Sequence, residues 1–329
     1  MEKILVIGAC GQIGVELTLA LRKKYGNENV LATDIKEEHP LLLGTGPFAI
    51  LDAMDAEAVR ALVKAPTPSG VGVPTESVGK KITTIYLLAA LLSATGEKNP
   101  KLAWELNMGS LRQILDLSVD EKIKLFWPSS IAVFGVTAPR ENTPQKTIIE
   151  PTTMYGITKY TGELLCQYYN KRFGLDVRSV RYPGLISWKS EPGGGTTDYA
   201  VEIYYEALKQ GKYTCFLSEN TYLPMMYMDD AIRATIEIME VPVEKVQSRM
   251  AYNLSAMSFS PREIAEEIKK HIPSFEINYM PDLRQKIADS WPKSIDDSAA
   301  RADWGWKPEF NLEKMTAEML KNLKEKLKQ

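Results

Sequence analysis

The chain has 329 residues, 44% of them hydrophobic and 25% charged, with a formal net charge of −2. That length holds one large α/β domain or two lobes around a sizeable core. The near-neutral balance argues against a nucleic acid or an anionic membrane surface as the main partner.

Cys10, Cys166 and Cys215 are too scattered for a disulfide framework or a CxxC metal pair, which suits a reducing cytoplasm. The only histidines are His39 and His271, and neither has neighbours suited to a zinc site or a Ser-His-Asp triad. No metal is therefore expected. The N-terminal "MEKILVIGAC" runs straight into a strand pattern, unlike a signal peptide. The longest apolar run, 82–94, is too short to span a bilayer.

In chain order, "KILVIG" (3–8) reads as a strand and is followed by "GACGQIG", with Gly8, Gly11 and Gly14 opening a helix over 12–24. Glycine is needed where a backbone turns sharply and approaches a pyrophosphate without a Cβ in the way. The helix N-terminus then offers free N–H groups and partial positive charge to the phosphates. The next strand, 29–34, ends in Asp34, 20 residues after Gly14. A carboxylate there accepts from both ribose hydroxyls and repels a 2′-phosphate, so the expected cofactor is NAD rather than NADP.

Strands at 47–52, 82–90, 123–130 and 175–183 alternate with helices near 55–64, 99–118 and 153–173. Such alternation predicts a doubly wound parallel sheet, an α/β fold of Rossmann type. The Pro-, Gly- and Ser-rich stretch 64–81 is expected to be a mobile loop on the sheet edge away from ligands. The second half is more mixed. "MDDAIRATIEIME" and "SPREIAEEIKKHI" read as helices, the latter with Ser260 as cap and Pro261 in the first helical position. A charged amphipathic helix begins near Leu312 and closes the chain. The expected division is a dinucleotide-binding domain over 1–183, with 223–252 returning to it. A smaller mixed C-terminal substrate lobe takes 184–222 and 253–329.

Tyr155 and Lys159 stand one turn apart on the 153–173 helix, and Ser130 lies 25 residues before Tyr155. An alcohol that loses hydride must also give up its hydroxyl proton to a base. A free phenol is ionised in only about one molecule in a thousand at pH 7, a cost of roughly 4 kcal/mol. A lysine cation about 4 Å away is worth up to roughly 4 kcal/mol at an effective dielectric near 20, while burial opposes it. Ser130 can hydrogen-bond the substrate oxygen.

The spacing GxxGxxG, Asp52 in "ILDAMD", "YLLAA" (86–90), "PSSIAVFG" (128–135), the Tyr155–Lys159 pair and "RYPG" (181–184) together resemble the extended short-chain dehydrogenase/reductase family. The resemblance covers nearly the whole chain. It implies NAD contacts at Gly8, Gly11, Gln12, Ile13, Gly14, Asp34, Asp52, Ala53, Leu88, Ala89, Ala90, Tyr155, Lys159, Tyr182 and Leu185. It implies a catalytic trio of Ser130, Tyr155 and Lys159.

Within the family, "LAALLSATGEKNP", "PGGGTTDYAVEIYYEAL" and "YLPMMYMDDAI" are similar to the threonine-oxidising branch related to UDP-galactose 4-epimerase. That implies NAD-dependent oxidation of the L-threonine side-chain alcohol to 2-amino-3-oxobutanoate, with Ser93, Ser129, Tyr155 and Thr196 at the substrate. Two alternatives stay open: a nucleotide-sugar 4-epimerase or dehydratase, and a non-catalytic NAD-sensing regulator. The apolar "RYPG" and "YLPMMYM" lack a diphosphate clamp, which disfavours the first. The intact trio disfavours the second.

The family's "NVNGT" is one residue short here, as "NMGS" (107–110), so a shift in the helix carrying Asn107 is expected. Leu87 stands where the family has His. The resemblance also implies a homodimer through a four-helix bundle. Leu102, Leu106, Ile114 and Leu117 on one helix, and Leu164, Leu165, Tyr168 and Tyr169 on another, recur at the required spacing. In the loop 190–200, Thr196, Thr197 and Asp198 can cap the helix that follows, and Thr196 can instead face a substrate carboxylate.

Overall fold

A computed structural model describes residues 2–64, 81–193 and 195–328. The expectation of a mobile loop over 64–81 falls almost wholly outside these described residues. Six parallel strands form the main sheet: β1 (Ile4–Ile7), β2 (Val30–Asp34), β3 (Phe48–Ile50), β4 (Thr84–Leu87), β5 (Lys124–Phe126) and β7 (Val177–Arg178). Their order is β3-β2-β1-β4-β5-β7, so the direction of winding reverses between β1 and β4. All four residues of β1 are buried, as a strand covered on both faces must be.

The helices lie on both sides of this sheet. On one face α1 (Gln12–Tyr25) and α8 (Met228–Glu240) share a core with Ile4, Val6 and Ala32. Ala300 of α11 (Ser298–Trp304) and Trp306 complete that core from the far end of the chain. On the other face α2 (Ala56–Lys64), α5 (Ser110–Glu121) and α6 (Met154–Phe173) cover Leu5, Ile7, Ile85 and Leu125. This is the doubly wound α/β arrangement read from the alternation.

Two short strands extend the cofactor side. β6 (Ser129–Ser130) pairs with β8 (Val180–Tyr182), which pairs with β12 (Tyr252–Asn253). The smaller lobe has its own core, built on α7 (Tyr199–Gln210), α9 (Pro261–His271) and α12 (Leu312–Lys326). Two small sheets complete it. One is β10 (Lys212–Cys215) with β14 (Glu276–Tyr279). The other is β9 (Gly184–Ile186), β11 (Leu223–Tyr227) and β13 (Met257–Phe259). The short α10 (Arg284–Ser290) and α11 were not individually legible in the sequence.

Local chemistry sets the helix ends. Ser260 and Glu263 form a reciprocal capping box on α9, with Pro261 in its first turn. Thr153 caps α6 by accepting from Gly156 N at 3.1 Å, and α6 stops at Gly174, whose φ of +70° suits glycine.

The stretch around Asn107 is not one continuous α-helix. Two helical pieces, α3 (Ser93–Lys98) and α4 (Pro100–Trp104), lead into a π turn over Glu105–Gly109 before α5 resumes. That turn aims buried Asn107 at the loop after β4. Its Oδ1 accepts from Leu91 N at 2.8 Å, and its amide donates to Leu91 O at 3.2 Å and Thr158 Oγ1 at 3.1 Å.

Close approach of α6 to the sheet depends on Gly162. A Cβ there would stand 2.3 Å from the buried Trp127 ring. Gly162→Ala should cost about 1–3 kcal/mol as overpacking, read as a lowered Tm. An unchanged Tm would mean that α6 can move away at no cost.

Candidate active site

Most residues singled out in the sequence lie at the carboxyl ends of the parallel strands, where the winding reverses. β1 ends into Gly8, β2 ends at Asp34, and the segment after β4 carries Leu88, Ala89 and Ala90. Gly8 has φ +92°, and a Cβ on it would meet Ala89 N at 2.6 Å. A Cβ on Gly14 would stand 2.1 Å from Gly8 O. These two glycines let strand, loop and helix meet.

Gly11 is different, since a Cβ there would meet only Gly8 O, at 3.4 Å. No side chain among the described residues caps α1 at Gly11, so its first N–H groups are left to a ligand. Asp34 shapes the same rim: Oδ2 accepts from Cys10 N at 2.9 Å and Oδ1 from Lys36 N at 3.0 Å. Asp52 follows β3, the strand beside β2, and its Oδ1 accepts from Met54 N at 2.8 Å. These residues fit a dinucleotide: a bare helix N-terminus for the pyrophosphate and a carboxylate at the ribose.

One inner cavity of about 240 Å³ gathers much of the rest. Gly8, Gly11, Gln12, Ile13, Gly14, Leu88 and Ala90 line its cofactor end, with Tyr182 and Leu185 beside them. Ser130, Tyr155 and Lys159 line it too, as do Ser93, Ser129 and Thr196. Asp34, Asp52, Ala53 and Ala89 lie outside this cavity, Ala89 directly behind Gly8.

The electrostatics of the trio differ from expectation. Lys159 is 3% exposed. Its Nζ donates to Pro128 O at 2.7 Å and sits 4.4 Å from the Trp127 ring centroid and 5.5 Å from that of Tyr155. Burial pulls its ammonium down to about 7, against an upward pull from the Cys166 and Glu163 groups. Burial also pushes the Tyr155 phenol up to about 12, and the Ser130 hydroxyl beside it pulls the other way. The expected lowering of the phenol by lysine is absent from the protein alone. Desolvation outweighs it because both groups sit in a dry site.

The family model described as the NAD dependent epimerase/dehydratase family matches residues 4–255. The chain belongs to that family. NAD is its cofactor. An epimerase/dehydratase of Staphylococcus haemolyticus, described as uncharacterized, is 52% identical over 99% of both chains. The solved holo form of a GalE-like L-threonine dehydrogenase from Cupriavidus necator is 52% identical, with a TM-score of 0.91 over 98% of this chain and 99% of that one. A monomeric L-threonine 3-dehydrogenase from a metagenome, in apo form, is 50% identical, with a TM-score of 0.90 over 98% and 99%.

At the substrate end of this family member, Thr196 is 2% exposed and its Oγ1 has no hydrogen-bond partner among the described residues. Of the two uses expected of Thr196, the helix cap is not made. Thr196 caps nothing, and Asp198, at the N-cap position of α7, uses Oδ2 to accept from Gly195 N at 2.8 Å. Ser129 lines the cavity, but its Oγ donates to Glu163 Oε1 at 2.5 Å, so its one proton is committed. Sequence reasoning missed Trp291, which lines the same cavity from just beyond α10 and has no local motif to announce it. It also missed Asp198 as a lining carboxylate.

Asp34→Ala should relax the preference for NAD over NADP, because no carboxylate then opposes a 2′-phosphate. Steady-state kinetics with both cofactors measure it, and an unchanged preference would mean that Asp34 does not reach the ribose.

Proposed function

We propose that this chain oxidises the side-chain alcohol of L-threonine to 2-amino-3-oxobutanoate. The observation that carries the substrate is the charge pattern of the inner cavity. Among the described residues lining it, Lys159 is the one cation and Asp198 the one anion. An amino-acid zwitterion suits that wall: its ammonium against Asp198, its carboxylate on hydroxyl donors at Thr196 and Ser93. The unpartnered Thr196 Oγ1 has a donor to give. A nucleotide sugar would need cations for its diphosphate, and Met225, Met226 and Met228 are buried where such a clamp would be sought. The L-threonine dehydrogenases among the solved relatives support the same reading.

NAD⁺, when bound, supplies the hydride acceptor. Tyr155, as the phenolate left once its own proton has gone to solvent, would take the hydroxyl proton of the alcohol as hydride leaves the same carbon, so the C–O bond becomes a carbonyl; the positive charge of bound NAD⁺ would favour that phenolate. Ser130 holds the reacting oxygen. Lys159 uses one N–H on Pro128 O and keeps its others for the nicotinamide ribose. Asp52 and Ala53 serve the adenine end. Gln12, Ile13, Leu88, Ala89, Ala90, Tyr182 and Leu185 shape the rest of the cofactor bed. Residues 1–183 and 228–252, with α11 and Trp306 packed on them, would act as the cofactor domain, and most of the remainder, β11 included, as the substrate lobe; the expected return of 223–227 to the cofactor domain is corrected by its place in the small sheet.

A homodimer fits the outer faces of α4 and α6. Leu102, Trp104, Leu164 and Tyr168 are exposed there, while Ile114, Leu117 and Tyr169 turn inward. Among the described residues no helix is long and apolar enough to cross a membrane. Three free cysteines suit a reducing cytoplasm.

Tyr155→Phe should abolish most turnover while NAD binding survives, because the ring stays and the proton acceptor goes. Calorimetric NAD binding beside NADH formation measures both, and near-normal turnover would refute the base. Thr196→Ala should raise the threonine KM several-fold and leave the NAD KM nearly alone. An unchanged threonine KM would remove Thr196 from the substrate site. Light scattering at micromolar concentration should report twice the chain mass; the chain mass alone would exclude the dimer.

A further inference from the structure

Ser129 and Ser130 are neighbours in one short strand, so their side chains leave it on opposite faces. Ser130 meets Tyr155. Ser129 turns to the face shared with Arg181, its partner in the β6–β8 register, and both meet Glu163 of α6. Arg181 Nε donates to Glu163 Oε1 at 2.8 Å and its Nη2 to Oε2 at 2.7 Å. The remaining Arg181 nitrogen, Nη1, donates to Asn253 Oδ1 at 3.0 Å and Gln145 O at 3.2 Å. Ser129, Glu163, Arg181 and Asn253 are all at most 2% exposed.

Glu163 lies one helical turn beyond Lys159. Helix α6 therefore grips consecutive residues of one segment at two points: Lys159 on the Pro128 carbonyl, Glu163 on the Ser129 hydroxyl. The next residue is Ser130. We propose that Glu163, acting through Ser129, is a positioning residue that fixes Ser130 against Tyr155. The proposal rests on the reading of Tyr155 and Ser130 as the reacting pair.

Stability alone does not call for this network. A buried ion pair can often be replaced by apolar side chains without loss, because desolvation offsets the attraction. What charge and fork geometry add is direction. A bidentate Arg181 leaves the carboxylate a single orientation, and a charge-assisted Ser129 bond is short and stiff. Misplacing a reacting group by about 1 Å can cost roughly a hundredfold in rate.

The test is Ser129→Ala, which removes one end of the grip and leaves the Glu163–Arg181 pair whole. The rate of the first turnover of NADH formation should fall roughly tenfold or more, with threonine KM and NAD affinity nearly unchanged. Ser129→Thr, which keeps a hydroxyl and suits a strand, should recover most of the rate. Glu163→Gln is the companion variant, and it should lose rate in the same way. A raised threonine KM with an intact first turnover would make Ser129 a substrate contact and overturn the proposal. So would an unchanged rate in Ser129→Ala, or a Ser129→Thr enzyme as slow as Ser129→Ala. Tyr155→Phe run alongside separates the two failures. If it stays active, the functional reading falls; if it is dead while Ser129→Ala is normal, only the positioning role falls.

Discussion

The contact between α6 and the segment Trp127–Ser130 is the constraint on which the site depends. Gly162 allows the helix to lie against the Trp127 ring, at a distance no Cβ would tolerate. From there Tyr155, Lys159 and Glu163 descend the same helix in steps of one turn and reach successive parts of the strand segment. The parallel sheet supplies the other half of the geometry. Its winding reverses between β1 and β4, so the glycine loop after β1 opens on the same edge as the serines after β5. The uncapped N-terminus of α1 and the Tyr155 phenol thus face one cleft.

Burial shapes the chemistry of that cleft in both directions. A dry site strengthens every electrostatic contact made within it, yet it penalises each charge brought there alone. Lys159, pulled down to about 7, carries only part of its charge near neutral pH, and Tyr155, pushed up to about 12, stays a phenol. Cys166 and the Arg181-paired Glu163, both on the same helix, pull the Lys159 ammonium the other way.

The parts of the site that are local in sequence were legible. Gly8 and Gly14 stand out because a Cβ at either would collide with backbone, and Asp34 follows at the end of the next strand. Tyr155 and Lys159 are visible because one helical turn fixes their relation. What the sequence hid is made by partners far apart along the chain. Ser129 joins Glu163 across 34 residues, and Arg181 joins Asn253 across 72. Neither pairing leaves a local pattern. The serine expected at the substrate therefore gives its proton to a buried carboxylate. Asp198 departs from its expected use for a similar reason: the loop folds on Gly195, so one carboxylate oxygen accepts within the loop instead of capping α7, and the Thr196 hydroxyl has no partner among the described residues. The π turn at Asn107 leaves no pattern that sequence periodicity shows.

Oxidation of threonine requires hydride to leave the side-chain carbon of a small amino alcohol. The most direct measurement uses L-threonine carrying deuterium on that carbon, incubated with the protein and NAD⁺, with the reduced cofactor analysed by mass spectrometry. The account predicts one deuterium in each NADH formed and a slower first turnover than with unlabelled threonine. Unlabelled NADH, or no NADH from threonine while a nucleotide sugar is turned over, would contradict it.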